Sequence, residues 1–363
     1  MDFIVGGGPA GCYTAALLAK EREVTVLEEH SEIGKPVQCT GIVTKSLFDV
    51  IPSHKSFVVN KLKKVRIHAP DGNIAEIRID DTVICRTAFD KHIADMAEKA
   101  GAKIDLNKKV EAIDRKGDST RVKITKSEKI LSADTLVGAD GPNSIVSKYI
   151  GNKKPKFLVG TQARVKMPVD KDTYSVYFGD DSPGFFGWVV PENDEVARVG
   201  VAAGKNPNKV FEHLMRKIGK HKILERQGGL IPVYDPFITL QQGSNYVIGD
   251  AATQVKATTG GGLVPGMKAA EGLARSIIDK TDYESEIRSV NRELWMSLML
   301  RKMLDRFNEK DYNQMVSMLK SKEMQKILDE EDRDNPTKIL FKTLLNKPES
   351  LLFARVLLRA KRL

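Results

Sequence analysis

The hexapeptide GGGPAG at residues 6–11 constrains the fold of this chain more than any other stretch. It follows an apolar-rich tetrapeptide, DFIV, and leads into CYTAALLAKEREVTVLEE. Strand, glycine turn, helix and second strand thus follow one another within about thirty residues, the span of a βαβ unit. Gly6 permits the tight turn, Gly8 lets backbone approach a pyrophosphate, and Gly11 allows close helix packing. The free amides of Gly8, Ala10 and Gly11, on either side of Pro9, and the positive end of the helix dipole then face the phosphates. Glu28 closes the second strand about twenty residues on, where a carboxylate can accept both ribose hydroxyls of an adenosine and repels a 2′-phosphate.

Two later segments repeat the pattern of an apolar strand that breaks into glycine and acid: VGADGPNSIVSKYIG at 137–151 and YVIGDAA at 246–252. Together with GGGPAG they bring three strand ends to one crevice. A simple NAD dehydrogenase needs only the first, so the set favours a bound FAD. Asp250 is placed to accept a hydrogen bond from a polyol chain. The glycines at 260–262 open the next helix, whose N-terminus can stabilise the anion of a reduced flavin ring.

The chain of 363 residues is long enough for two domains, or for one large α/β unit with an inserted sheet. Hydrophobic content of 41% and charged content of 29% set aside disordered and fibrous classes. No apolar run reaches membrane-spanning length, and the start MDFIVGGG reads as strand and turn rather than export signal, so a cytoplasmic protein is expected. Cys12, Cys39 and Cys85 have no metal or disulfide spacing and read as reduced thiols. The histidines are scattered, which argues against a metal site. A net charge of +10 points to an anionic partner, either phosphate-bearing ligands or a membrane surface. With only 6% aromatic residues and no basic aromatic repeat, nucleic acid is set aside.

Alternating segments predict strands over about residues 57–85, and RTAFDKHIADMAEKAG an amphipathic helix ending at Gly101. Short strands follow up to TLVGADG. A β-rich stretch at 157–204 suggests an inserted antiparallel sheet, after which NYVIGDAAT and MKAAEGLARSIID resume the first domain. From Tyr283 onward the pattern is helical. Six of the 11 methionines fall there, a composition suited to adaptable apolar contact or to ordinary helix packing. The terminal LLFARVLLRAKRL carries Arg355, Arg359 and Arg362 on one helical face, which suits either an anionic bilayer or a solvated helix end.

These segments together resemble the flavoprotein class of the aromatic hydroxylases and, more closely, the geranylgeranyl reductase family, over nearly the whole chain. The family-level features are PVQCTG at 36–41 and FFGWVVP at 185–191, the latter similar to an aromatic-x-Trp-x-Phe-Pro motif. Phe186, Trp188 and Pro191 match that motif, while Val190 stands where the family usually has Phe, a departure that bears on pocket shape. The resemblance implies an α/β fold with an α+β insertion. A Rossmann-like FAD-binding domain (1–56, 86–155, 240–282) would carry an inserted antiparallel-sheet substrate domain (57–85, 156–239) and a helical C-terminal region (283–363).

It also implies cofactor contacts from the glycine turn, Glu28, Glu29, Arg86, Val110, Asp140, Gly141, Gly249, Asp250, Ala251, Gly261, Gly262 and Leu263. Cys39 would lie near flavin and substrate, and Phe186, Trp188 and Pro191 would line the substrate site. The implied activity is FAD-dependent saturation of carbon-carbon double bonds in geranylgeranyl chains of membrane lipids or their precursors. Electrons would come from NAD(P)H or a ferredoxin-like carrier, and contact with the membrane would be peripheral. An isolated alkene has no carbonyl to polarise, so a proton donor is needed, with Cys39 and a flavin-held water as rivals. An FAD-dependent monooxygenase and a non-catalytic prenyl-binding protein remain alternative readings of the same segments.

Overall fold

In the computed structural model the run Asp2–Val5 is a strand buried at every position, as are its neighbours Val24–Leu27 and Thr135–Gly138. The structure describes residues 1–117, 119–179, 182, 184–331 and 336–346. The basic segment with Arg355, Arg359 and Arg362 therefore lies outside the described residues. Two compact units emerge, each assembled from three stretches of chain: 1–37, 86–156 and 231–295 in the first, and 38–85, 157–230 and 296–363 in the second.

The first unit is a doubly wound sheet. Its strands run in the order Gln241–Gln242, Asn245–Val247, Thr135–Gly138, Asp2–Val5, Val24–Leu27 and Lys103–Asp105. All neighbours are parallel except the edge hairpin of the first two. The central strands are buried at every position and mostly apolar rather than alternating, with Asp2, Thr25 and Thr135 as buried exceptions, as expected for a parallel sheet with covered faces. Helix Pro9–Leu18 packs against both Arg86–Lys99 and Leu263–Asp279. The strand order reverses at Asp2–Val5, with the next strands in sequence on one side and Thr135–Gly138 on the other. Ligands bind at such a switch point, outside the carboxyl ends of the strands. Register aligns those ends in one row, Val247, Gly138, Val5, Leu27 and Asp105, so the loops that follow them emerge along a single rim. A three-stranded antiparallel sheet, Val110–Lys116, Ser119–Ile124 and Ile130–Ala133, completes the unit.

The second unit is an eight-stranded sheet in the order Lys222–Pro232, Phe157–Lys166, Val196–Ala203, Gly187–Pro191, Thr173–Tyr177, Val58–His68, Ile74–Ile84 and Ile42–Thr44. Thr173–Tyr177 pairs in parallel with Val58–His68, within a sheet otherwise built from antiparallel neighbours such as Gly187–Pro191 and Val196–Ala203. The connectivity permits this parallel pair: the chain leaves the sheet after Ile84 and returns at Phe157, so the two strands are not joined by a hairpin that would force them antiparallel. Helix Pro207–Ile218 covers one face, setting Phe211 and Leu214 against Val165, Val189, Val199 and Val201. Helices Glu309–Leu319 and Lys322–Glu330 pack against Ile74–Ile84, with Val316 seated on Ala69 and Ala75. Helix Pro207–Ile218 and edge strand Lys222–Pro232 are elements that the sequence reading did not anticipate. Among the described residues no helix is long and apolar enough to cross a membrane.

Candidate functional site

Gly6, at φ +101°, turns the chain out of the first strand where a side chain has no room: a Cβ there would lie 2.3 Å from the Ala139 carbonyl oxygen. Gly11 is equally constrained, since its Cβ would lie 2.1 Å from the Gly6 oxygen. Both glycines are required by the protein's own packing, and they fuse GGGPAG to the ADG segment after Thr135–Gly138. Gly8 differs. Its backbone is extended (φ −71°, ψ 176°), which any residue adopts, and a Cβ there would meet nothing within 4 Å. The space in front of the helix start is open, the helix has Pro9 at its first position, no capping side chain and no acid in its first turn. Unshared amides at the positive end of a helix facing open space form an anion cradle.

Glu28 is buried at the end of its strand, with Oε2 accepting the Gly7 amide at 2.6 Å. Oε1 accepts the His30 amide at 2.8 Å and faces His30 Nδ1 at 2.6 Å. A carboxylate offers about four lone-pair positions, so Oε2 keeps one for a ribose hydroxyl. His30 is the residue that sequence reasoning missed here, its only signal being a histidine two positions beyond the acid. Glu29 points outward and pairs with Lys109 at 2.7 Å, and buried Val110 begins the small antiparallel sheet.

Asp140 and Gly141 follow on the rim. The Asp140 carboxylate turns to its own loop, accepting Ser144 Oγ at 2.5 Å and the Ile145 amide at 2.7 Å. Burial pushes its pKa up against those hydrogen bonds. Gly141 has φ +74° and open space where its side chain would be.

The third segment meets the first. Gly249 (φ +64°) opens the single turn Gly249–Ala252, and a Cβ on it would come 3.1 Å from Ala10 Cβ. Ala251 is buried in the same turn. The turn is fastened from below by Gln254, fully buried, whose Oε1 accepts the Gly249 amide at 2.8 Å while Nε2 donates to Tyr283 Oη at 3.4 Å. Nothing in the sequence pattern marks Gln254. A Cβ on Gly262 would lie 3.2 Å from Asp250 Oδ1, so the glycine stretch folds directly onto the acid. Gly262 precedes helix Leu263–Asp279, which again lacks a capping side chain and an acidic first turn, while Gly261 closes back on Lys256, whose amide donates to the Gly261 carbonyl at 3.1 Å.

Asp250 and Arg86 are electrostatically coupled. Burial raises the Asp250 pKa from 3.8 to about 6, and the Arg86 charge pulls it back down. Arg86, first residue of helix Arg86–Lys99, is held by a bidentate pair with Asp90, Nε at 2.9 Å and Nη2 at 3.0 Å. The first unit therefore unites the glycine turn, Glu28, Arg86, Asp140, Gly141, Gly249, Asp250 and Gly262, residues up to about 250 positions apart. Two helix N-termini, an acid for ribose and a half-buried acid for a polyol match the groups of FAD.

Cys39, Phe186, Trp188 and Pro191 belong to the second unit. Cys39 is half-buried, and its Sγ accepts the Gly41 amide at 3.3 Å. The loop is held by a buried polar network. Thr40 Oγ1 donates to Gln162 Oε1 at 2.6 Å, the same oxygen takes Trp188 Nε1 at 2.9 Å, and Gln162 Nε2 donates to Gln227 at 2.7 Å. Arg198 Nη1 donates to the Thr40 carbonyl and, at 3.0 Å, to the Ile84 carbonyl. Arg198 Nε holds Glu192 at 2.7 Å, and Arg164 grips the other side of that carboxylate at 2.8 Å. The two guanidiniums keep Glu192 below the usual carboxylate range although burial pushes it up. Gly41, at φ +77°, crosses this clamp where a Cβ would lie 2.5 Å from the Ile84 oxygen. Cys12 is buried and its thiol is pushed far up by burial.

Trp188 is buried with its indole across Gly200, where a Cβ would come 2.5 Å from Cζ2. Phe186 is half-exposed between stacked Phe185 at 4.2 Å and Trp188 at 5.9 Å. Pro191 is buried, and its carbonyl accepts Asn60 Nδ2 at 3.1 Å.

Comparison with known proteins bears on the family, the fold and the cofactor. Residues 4–46 match the NAD(P)-binding Rossmann-like domain family, and residues 58–225 match the FAD binding domain family. The chain is 28% identical over 351 residues to a digeranylgeranylglycerophospholipid reductase of Methanocaldococcus jannaschii, covering 90% of this chain and 87% of that one. An uncharacterised protein of the same organism is 31% identical over 297 residues, 76% of this chain and 74% of the other. Among solved structures, a geranylgeranyl bacteriochlorophyll reductase-like protein from Thermoplasma acidophilum superposes with a TM-score of 0.84 at 22% identity, over 98% of each chain. The cofactor of the crevice is FAD.

Proposed function

The chain belongs to the geranylgeranyl reductase family of FAD-binding proteins, and from that premise we propose that it saturates carbon-carbon double bonds in geranylgeranyl chains of membrane lipids or their precursors. The observation that carries this reading is the near end-to-end similarity to a digeranylgeranylglycerophospholipid reductase. The half-exposed ring of Phe186, backed by buried Phe185, supports it, because apolar rings suit a prenyl chain.

When bound and reduced, the flavin supplies a hydride equivalent. The protein supplies everything else. Helix starts at Gly8 and Gly262 balance phosphate and ring charge, Glu28 takes the ribose, and Asp250 takes the polyol. Cys39 is the proposed proton donor to the alkene, since an unpolarised double bond accepts hydride only as it gains a proton. The Gly41 amide on its sulfur and the Arg198 clamp on Thr40 hold the thiol in one place. The electron donor would be NAD(P)H or a ferredoxin-like carrier, and a lipid substrate implies work at the membrane surface. The test is anaerobic incubation of dithionite-reduced protein with a geranylgeranylated phospholipid, read by mass spectrometry. A gain of two hydrogens per double bond is expected, and an unchanged lipid overturns the proposal.

A further inference from the structure

The second unit carries a buried cation that its own fold leaves half used. Arg301, on helix Arg288–Leu304, is 5% exposed. Its Nε donates to Asp305 Oδ1 at 2.7 Å, one helical turn on. Among the described residues, Nη1 and Nη2 have no acceptor. Tyr312 stands beside the guanidinium, whose charge and side-chain hydrogen bonding oppose the upward push of burial on its phenol. That hydroxyl donates to the Leu304 carbonyl at 3.1 Å and closes no well-aligned bond with either Nη, so the phenol is a weak neighbour that still leaves the guanidinium fork open to a stronger acceptor.

A buried donor left without an acceptor costs about 1–3 kcal/mol, more when charged. A residue kept only to pair with Asp305 would not need two further nitrogens in an apolar setting. The guanidinium carbon lies 5.7 Å from the centre of the Phe185 ring. Phe185 stacks on Phe186, which meets Trp188 edge-on, so a fixed positive charge stands at one end of an aromatic row. Ser182, whose carbonyl accepts the Phe185 amide, is buried as well, and its Oγ has no partner among the described residues.

We propose that Arg301 binds the phosphate of a phosphorylated isoprenoid lipid, with Nη1 and Nη2 taking two of its oxygens and the Phe185–Phe186–Trp188 row taking the adjoining prenyl chain. The guanidinium fork matches phosphate geometry, and dry aromatic walls strengthen the contact. This assignment rests on the isoprenoid reading above. A lipid phosphate ester and free phosphate present the same oxygens, and the two are separated by experiment.

The test titrates FAD-loaded wild type, Arg301→Met and Arg301→Lys calorimetrically with geranylgeranyl monophosphate and geranylgeraniol, and follows the melting temperature with inorganic phosphate. Wild type should prefer the monophosphate roughly tenfold or more, a preference falling below about threefold in Arg301→Met and partly retained in Arg301→Lys. A merely structural arginine would lower both affinities together and leave their ratio intact. Equal binding of alcohol and monophosphate to wild type, or an unchanged ratio in Arg301→Met, overturns the phosphate assignment while the isoprenoid reading stands. Binding of neither prenyl ligand removes the isoprenoid reading and the prenyl row with it. Phosphate then decides the arginine alone: a melting shift confined to wild type supports an anion site, and an equal shift in Arg301→Met overturns it.

Discussion

Glycines in one turn have different reasons to be glycine. Gly6 and Gly11 are demanded by neighbouring backbone, whereas Gly8 has an ordinary conformation and empty space beside it. Gly8→Ala should therefore fold normally, within about 1 kcal/mol of wild type by denaturant titration of the apoprotein, because only an N-cap preference is lost. FAD affinity should fall roughly tenfold or more, measured by flavin fluorescence, since the methyl enters the space in front of the helix amides.

Asp250 makes the converse prediction. Its folded pKa of about 6 exceeds the ordinary 3.8, so the folded apoprotein holds this proton more tightly than the unfolded chain. As pH rises from about 4 to about 6 the unfolded chain loses the proton first, and stability drops by an amount on the order of 3 kcal/mol that persists at higher pH. Asp250→Asn should thus stabilise the apoprotein at pH 7 and leave it near wild type at pH 4, while weakening flavin binding. A stability difference independent of pH would contradict the assignment.

At the scale of elements, the Cys39 loop shows how a short segment is made rigid by strands distant in sequence. Arg198→Met removes the donor shared by the Thr40 and Ile84 carbonyls while Glu192 keeps Arg164. Alkylation of Cys39 by iodoacetamide in a Cys85→Ser background should accelerate roughly tenfold, with a stability loss of about 2 kcal/mol. The elements around the crevice were legible in the sequence for a physical reason: each strand of a covered parallel sheet ends in an apolar run that breaks into a glycine-containing turn, as after Val5, Val137 and Val247. Partnership was not legible. His30 on Glu28 and Gln254 under Gly249 are side-chain contacts within irregular turns, and Arg198 under Thr40 joins residues 158 positions apart, so no helix or strand period encodes them. Strand Lys222–Pro232 escaped because an edge strand with paired glycines and few buried positions shows no alternation.

For the whole molecule, a net charge of +10 stands against a dianionic cofactor. FAD affinity should fall with added salt, as measured by equilibrium dialysis across a range of potassium chloride. Saturation at about a hundred times the dissociation constant should stabilise the fold by about 2.7 kcal/mol, visible as a rise in melting temperature. Dependence on both salt and ligand concentration would place the cofactor in an electrostatic cradle rather than a purely apolar slot.

The interleaving of the two units has a consequence for how the protein is made. The chain passes between them at 37/38, 85/86, 156/157, 230/231 and 295/296, so neither unit is contiguous. During synthesis the glycine turn leaves the ribosome some two hundred and fifty residues ahead of Gly249, Asp250 and helix Leu263–Asp279, a delay of about 10–50 s at ordinary elongation rates. Until then the first strands of the nucleotide sheet have an unpaired edge. The nascent protein therefore cannot gain the stabilisation of its own cofactor until the third stretch of the first unit has emerged, and FAD supply, chaperone capture and translation speed converge on that one event.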